Sequence, residues 1–288
     1  MFQTLEQFDS EVERLVVTSD KNHFDPFTRV SYPDKLDTDR LQFPEKYISL
    51  YHHPVYAELT DEQKWKLSLL ESINFFSLNI QGEQALIREL STRLYRNKFR
   101  WDSTPASHYL QHFIHEENAH TFMLAGYCTR YHGSLMPDMT ALSSQEPELS
   151  ALGKDLLFYG RTAVLEYFLG FLNRKAKADE DIEPVVKQIH YFHYLDETRH
   201  ITFDRLVIEE TLKQAKEQGL DAEVKLISKL LQEYSEYVSK RLYNFRIYRE
   251  IGIENPFKVY QEAQVLGARG PQIQEWNLQS NQLLQKFV

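Results

Sequence analysis

Apolar positions recur along most of the chain at intervals of three and four, and strand-like alternation is scarce, so the sequence predicts helices. Residues 1–15 read as a short amphipathic helix. Asp25-Pro26, Tyr32-Pro33 and Phe43-Pro44 then punctuate residues 16–60, which read as an irregular segment wrapped on the core. Thr60-Asp-Glu-Gln63 has the form of a capping box and predicts a long helix from Asp61 to about Asn97. Ser103-Thr-Pro105 marks the start of a second, ending near Gly133, since proline is tolerated in a first turn. After a loop over 133–147, a third opens around Glu148, and Asp181-Ile-Glu-Pro184 begins a fourth that ends near Gly219. A fifth, from about Asp221 to Ile251, carries Val224, Ile227, Leu230, Leu231 and Tyr234 at helical spacing. Two shorter helices are expected beyond Asn255-Pro256, near Phe257–Leu266 and Gln272–Lys286.

The expected fold is therefore all-α. It is read as one domain over 1–288, with an N-terminal wrapping segment to residue 60, a four-helix core over 61–219 and C-terminal flanking helices over 220–288. Ten Gly and ten Pro are few for this length, which favours the helical reading. A formal charge of −9 argues against nucleic acid and against an anionic membrane surface. The single cysteine, Cys128, excludes an internal disulfide framework and reads as a core thiol. No apolar run is long enough to span a bilayer and the N-terminus lacks the order of a signal peptide, so a cytoplasmic location is expected.

The candidate chemistry lies on the four core helices. His193, Glu197 and His200 fall within one arc of about 60° on the fourth. The first offers Glu83, the second Glu117 and His120, and the third Glu166. The order Glu, Glu-x-x-His, Glu, Glu-x-x-His is that of di-iron carboxylate bundles. At i and i+3 a Glu reaches between two ions while its His binds one, and four carboxylates balance two divalent charges. One Glu-x-x-His is expected about once by chance at this composition; two on separate helices, each after a helix with an isolated carboxylate, are a specific signal.

Blander readings exist for single positions. Gln81 and Gln84 flank Glu83 and would also suit a solvated face, whereas Glu166 stands in the apolar run AVLEYFLGFL, where an unpaired carboxylate is costly. His193 exceeds the two histidines that the pattern needs, and a core histidine would look the same. Glu116 and Asp196, one residue before each bridging Glu, are placed to accept the outer N–H of the facing histidine, His200 for Glu116 and His120 for Asp196; both would otherwise be surface acids. Asp204, four residues past His200, is a further candidate. His108, His112, His115 and His190 carry no assignment.

Glu116-Glu-Asn-Ala-His120 and Asp196-Glu-Thr-Arg-His200 resemble the twin motifs of soluble acyl-carrier-protein desaturases, ferritin-like di-iron bundles that dehydrogenate acyl chains. His193 is outside that pattern. It is similar instead to the third histidine of the para-aminobenzoate N-oxygenase family, which PEKYISLYHHPVYAELTDEQKWKLSLLE also resembles, and this is the preferred resemblance. It implies two iron ions, with manganese or a mixed pair as alternatives, and oxygen as co-substrate. It further implies a peroxo species, an external electron donor, and oxygen transfer to an amine toward hydroxylamine, nitroso or nitro products. Expected partners are a small-molecule substrate, an amine, and an electron-donor protein or other reductant; a homodimer is left open.

Phe76 and Asn79, before Glu83, and Gly170, one turn after Glu166, are the expected substrate-pocket positions. None is basic, which predicts a substrate less anionic than an aminobenzoate. Two other classes compete: a desaturase or C–H hydroxylase, and a non-catalytic metal-binding bundle. Long flanking helices able to wall a pocket argue against the second.

Overall fold

The computed structural model describes residues 5–22, 25–96, 104–137, 147–268, 275, 276 and 285. Among these, nine α-helices follow one another: α1 (Leu5–Lys21), α2 (Pro54–Glu58), α3 (Asp61–Arg96), α4 (Pro105–Tyr131), α5 (Ala151–Lys177), α6 (Pro184–Glu217), α7 (Asp221–Lys240), α8 (Phe245–Glu250) and α9 (Pro256–Ala268). Helices α3 and α4 pair, α5 and α6 pair, and the two pairs meet through α4–α6 and α3–α5 contacts. This is the expected four-helix core. Helix α1 covers α4 and α6, α7 covers α5, and α8 joins α9 to α3.

Local chemistry sets the starts of the long helices. The Gln63 N–H donates to Thr60 Oγ1 at 3.2 Å while the Thr60 N–H donates to Gln63 Oε1 at 3.0 Å, a reciprocal capping box. Thr104 accepts from the Ser107 N–H at 3.1 Å ahead of Pro105, and Pro184 occupies the first turn of α6. Gly82 brings α3 close to α5, since a Cβ there would lie 3.0 Å from Leu165 Cδ2; this tight crossing flanks Glu83 and Glu166.

The structure corrects three boundaries and adds two short elements. Helix α1 runs to Lys21 rather than ending near residue 15, because Val12, Val16 and Ser19 are buried and tertiary packing overrides the poor helix propensity of Val16-Val17-Thr18. Within 16–60 the chain also forms a 3-10 turn at Glu45–Tyr47 and the short α2. Helix α5 starts at Ala151, not Glu148, because the Ser150 hydroxyl caps it by accepting from the Gly153 N–H at 3.0 Å. The fifth helix does not reach Ile251. It stops at Lys240, and Asn244 caps α8 by accepting from the Arg246 N–H at 3.0 Å. Asn244 also donates to Asn74 Oδ1 at 3.0 Å, and Asn74 Nδ2 donates to the carbonyls of Arg241 and Leu242 at 3.3 and 3.2 Å. The freed carbonyls are thereby satisfied from α3. Most of the expected loop over 133–147 and of the helix near Gln272–Lys286 lies outside the described residues, as do Asn97 and Ser103.

The wrapping segment is tied down by polar contacts. The Glu183 N–H donates to the Leu41 carbonyl at 2.9 Å, the Gln42 N–H to Ser68 Oγ at 2.9 Å, and Tyr127 Oη to Gln42 Oε1 at 3.0 Å. No helix among the described residues is long and apolar enough to cross a membrane.

Candidate metal centre

Each core helix turns its expected residues inward: Glu83 from α3, Glu117 and His120 from α4, Glu166 from α5, and His193, Glu197 and His200 from α6, all buried. The seven fall into two adjacent groups. Glu83, His120 and His193 form one; Glu117, Glu166, Glu197 and His200 form the other, with the candidate atoms of each group within 4.8 Å of one another. Glu117 and Glu197 face both groups. His120 Nδ1 lies 4.0 Å from Glu117 Oε2 and 3.9 Å from Glu197 Oε1, while His200 Nδ1 lies 2.9 Å from Glu117 Oε1 and 4.0 Å from Glu197 Oε2. His193 Nε2 sits 3.4 Å from Glu83 Oε1 and 2.5 Å from Glu197 Oε1. The third histidine thus joins the Glu83 side.

The outer nitrogens of two histidines are fixed by carboxylates. His120 Nε2 lies 3.0 Å from Asp196 Oδ2 and His200 Nε2 lies 2.9 Å from Glu116 Oε2, the cross-helix pairing expected from the sequence. An ionised carboxylate only accepts, so each Nε2 carries a proton and each Nδ1 faces inward, where it would offer its lone pair to a bound ion. The His200 ring also stacks on Phe113 with centroids 3.9 Å apart. Arg199, to which the sequence reading gave no role, donates through Nη2 to both Glu116 and Asp196 and through Nε to Ser19 Oγ at 2.9 Å. Its signal was available: a basic residue three positions after Asp196, between two inward-facing residues.

Each of the seven residues leaves at least one buried nitrogen or oxygen without a hydrogen-bond partner, including both oxygens of Glu83, Glu117 and Glu197 and Nδ1 of His120 and His200. Unpartnered buried polar atoms are costly. Here they crowd together at short range without hydrogen-bond geometry, as donor atoms around cations do. Burial, then the charges of Glu117 and Glu166, pushes Glu83 well above the carboxylate range, and burial followed by Glu117 raises Glu166 to about 7. Burial, then the other histidines, holds His193 well below its ordinary value. Around Glu116 burial works upward, but hydrogen bonds and charge from His200 and Arg199 outweigh it and bring the carboxyl to about 2. Glu116 is therefore an anion able to hold His200 in place. A cage of carboxylates and imidazoles with inward lone pairs fits two divalent ions of the iron or manganese kind.

The family described as P-aminobenzoate N-oxygenase AurF matches residues 6–284. The chain belongs to this family. It is an oxidoreductase of the di-metal oxygenase or oxidase type, and the match decides between the two resemblances in favour of the N-oxygenase. Among solved structures, a variant of the R2-like ligand-binding oxidase with an aerobically reconstituted Mn/Fe cofactor is similar at 15% identity, with 98% of each chain covered and a TM-score of 0.51. The same oxidase with a Mn/Fe cofactor after a long soak is similar at 15% identity, covering 98% of this chain and 96% of the other, with a TM-score of 0.50. These likenesses support the ferritin-like helical fold. Curated proteins give no match.

The remaining expected positions separate. Gly170 lines a cavity together with Glu197. Phe76 packs on Tyr127 and His190, and Asn79 Nδ2 donates to the Phe75 carbonyl at 2.5 Å while its Oδ1 is buried without a hydrogen-bond partner. Asp204 is buried with neither oxygen partnered and lies outside the two groups; burial, then Glu166, pushes it well above the carboxylate range. Cys128 is buried and its thiol is pushed up to about 12 by burial, consistent with a core thiol. His190, brought down to about 3 by burial, is a neutral core histidine whose Nδ1 lies 2.6 Å from Asn173 Oδ1.

Proposed function

We propose that the protein N-oxygenates an amine, using two iron ions held by Glu83, Glu117, His120, Glu166, His193, Glu197 and His200. The observation that carries this reading is the set of unpartnered buried donor atoms, gathered in two groups and shared by Glu117 and Glu197. Two such ions would supply the redox chemistry that reduces dioxygen. The protein's residues do the rest. Glu116 and Asp196 keep His200 and His120 in one tautomer, Arg199 holds those two carboxylates, and the surrounding core excludes bulk water. His193 adds a neutral donor on the Glu83 side.

The net reaction converts an N–H bond to N–OH: one oxygen atom of O2 goes to nitrogen and the other leaves as water. Two electrons from an external reductant and two protons complete the balance; further rounds lead to nitroso and nitro products. The test supplies iron-loaded protein with 4-aminobenzoate, a chemical reductant and isotopically labelled oxygen, and follows products by mass spectrometry. Labelled hydroxylamine, nitroso or nitro product supports the reading. Oxygen consumption with no label on nitrogen, for 4-aminobenzoate and for neutral anilines alike, overturns it.

A further inference from the structure

Helix α4 carries three histidines that the metal centre does not use. His108, His112 and His115 have the i, i+4, i+7 spacing of His193, Glu197 and His200, which puts them within one arc of about 60° on the helix. The structure brings the first two together and adds a carboxylate from another helix. The His108 and His112 rings stack with centroids 5.4 Å apart, and His112 Nε2 lies 3.3 Å from Oδ1 of Asp20, in the last turn of α1.

An ordinary ion pair does not account for this contact. His112 Nε2 is buried and makes no hydrogen bond, even with the Asp20 oxygen beside it. Burial, opposed by the charge of Asp20, holds the imidazole below its ordinary value, so at neutral pH it is uncharged and has a lone pair to offer. The spacings are those of ligands around an ion. Two donors each about 2.1 Å from a tetrahedral ion stand about 3.4 Å apart, and two imidazole rings bound to it have centroids roughly 5.2 Å apart. Among the described residues only the two groups of the centre hold three donors within 4.8 Å, so the third contact here requires a turn of the His108 side chain. His108 is exposed and can make that turn.

We infer that His108, His112 and Asp20 form a further metal site, which takes a zinc-like divalent ion and ties the last turn of α1 to α4. Two imidazoles and a carboxylate are a donor set that zinc accepts, with water in the fourth position. Because His108 and Asp20 are exposed, the ion exchanges with solvent, unlike one in the buried centre. The site adjoins the supports of that centre. Ser19, next to Asp20, accepts from Arg199 Nε at 2.9 Å, and Glu116, one turn after His112, accepts from Arg199 and pairs with His200. An ion that fixes α1 here steadies the Arg199 contact. The inference does not depend on the reaction at the centre.

The test titrates the iron-loaded protein with Co2+ under anaerobic conditions, following the visible absorption of tetrahedral cobalt and the iron content together. Wild type is expected to take up one Co2+ per chain with its iron retained, and Zn2+ is expected to compete for the same site and to raise the Tm. Asp20→Asn, His108→Ala and His112→Ala are each expected to weaken Co2+ binding at least about 10-fold with iron content unchanged, since loss of a ligand costs no less than loss of its outer support. Asp20 and His108 are exposed, so their variants test the site even if His112→Ala disturbs the packing of α1. No Co2+ uptake by wild type, uptake matched by an equal loss of iron, or undiminished binding in Asp20→Asn and His108→Ala would each overturn the proposal.

Discussion

Glu116 and Asp196 stand on facing helices and share one cation: Arg199 Nη2 donates to both, at 2.7 Å to Glu116 Oε1. Since each acid also accepts from a histidine of the centre, one guanidinium sets the orientation of two rings. Replacing Arg199 with Gln leaves two buried carboxylates without their counter-charge. Metal affinity is expected to fall about 10- to 100-fold, read by competition with a chelator, while Arg199→Lys retains part of it. Equal affinity in all three proteins would show that the guanidinium does not act on the centre.

His193 groups with Glu83 and His120, away from Glu166 and His200. His193→Ala is therefore expected to empty one side selectively, lowering the metal content toward one ion per chain with the other ion retained. Full loading with an unchanged electronic spectrum would exclude His193 as a ligand.

Stability should depend on pH through Glu71, which lies on α3 ahead of Glu83. Its carboxyl is raised from 4.5 to about 8 by burial; hydrogen bonds from the Ser49 N–H and hydroxyl oppose this without cancelling it. Tyr56, Tyr243 and Tyr248 face it. The folded state holds the proton more tightly than the unfolded chain, so this group's stabilisation is complete below its ordinary value and is lost as pH rises toward about 8. Glu71→Gln cannot ionise. Its Tm is expected to fall less between about pH 5 and pH 8.5 than that of the wild type; parallel Tm curves would refute this.

Asn244→Ala removes the cap of α8 and the donor to Asn74. The expected cost is about 1–3 kcal/mol in denaturant unfolding, with metal content unchanged. A variant as stable as wild type would mean the break after Lys240 has another cause.

The ligand-type residues were legible in the sequence because metal binding demands fixed residue types at fixed helical spacing, and Thr60, Pro105 and Pro184 mark the helix starts chemically. What was hidden depends on contacts between elements. The break at Asn244 is held by Asn74 on another helix, which periodicity along one segment does not register. Val16 and Ser19 keep α1 helical through burial rather than propensity. Gly170 and Glu197 come to line one cavity only when α5 is laid against α6, which the pattern along either helix does not register.

The most direct measurement of the central claim is the metal content of protein purified from iron-supplemented cells, compared with Glu117→Ala, in which a carboxylate facing both groups is removed. The account predicts close to two ions per wild-type chain and a marked loss in the variant. A wild-type chain that binds no metal, or a variant that keeps both ions, would contradict it.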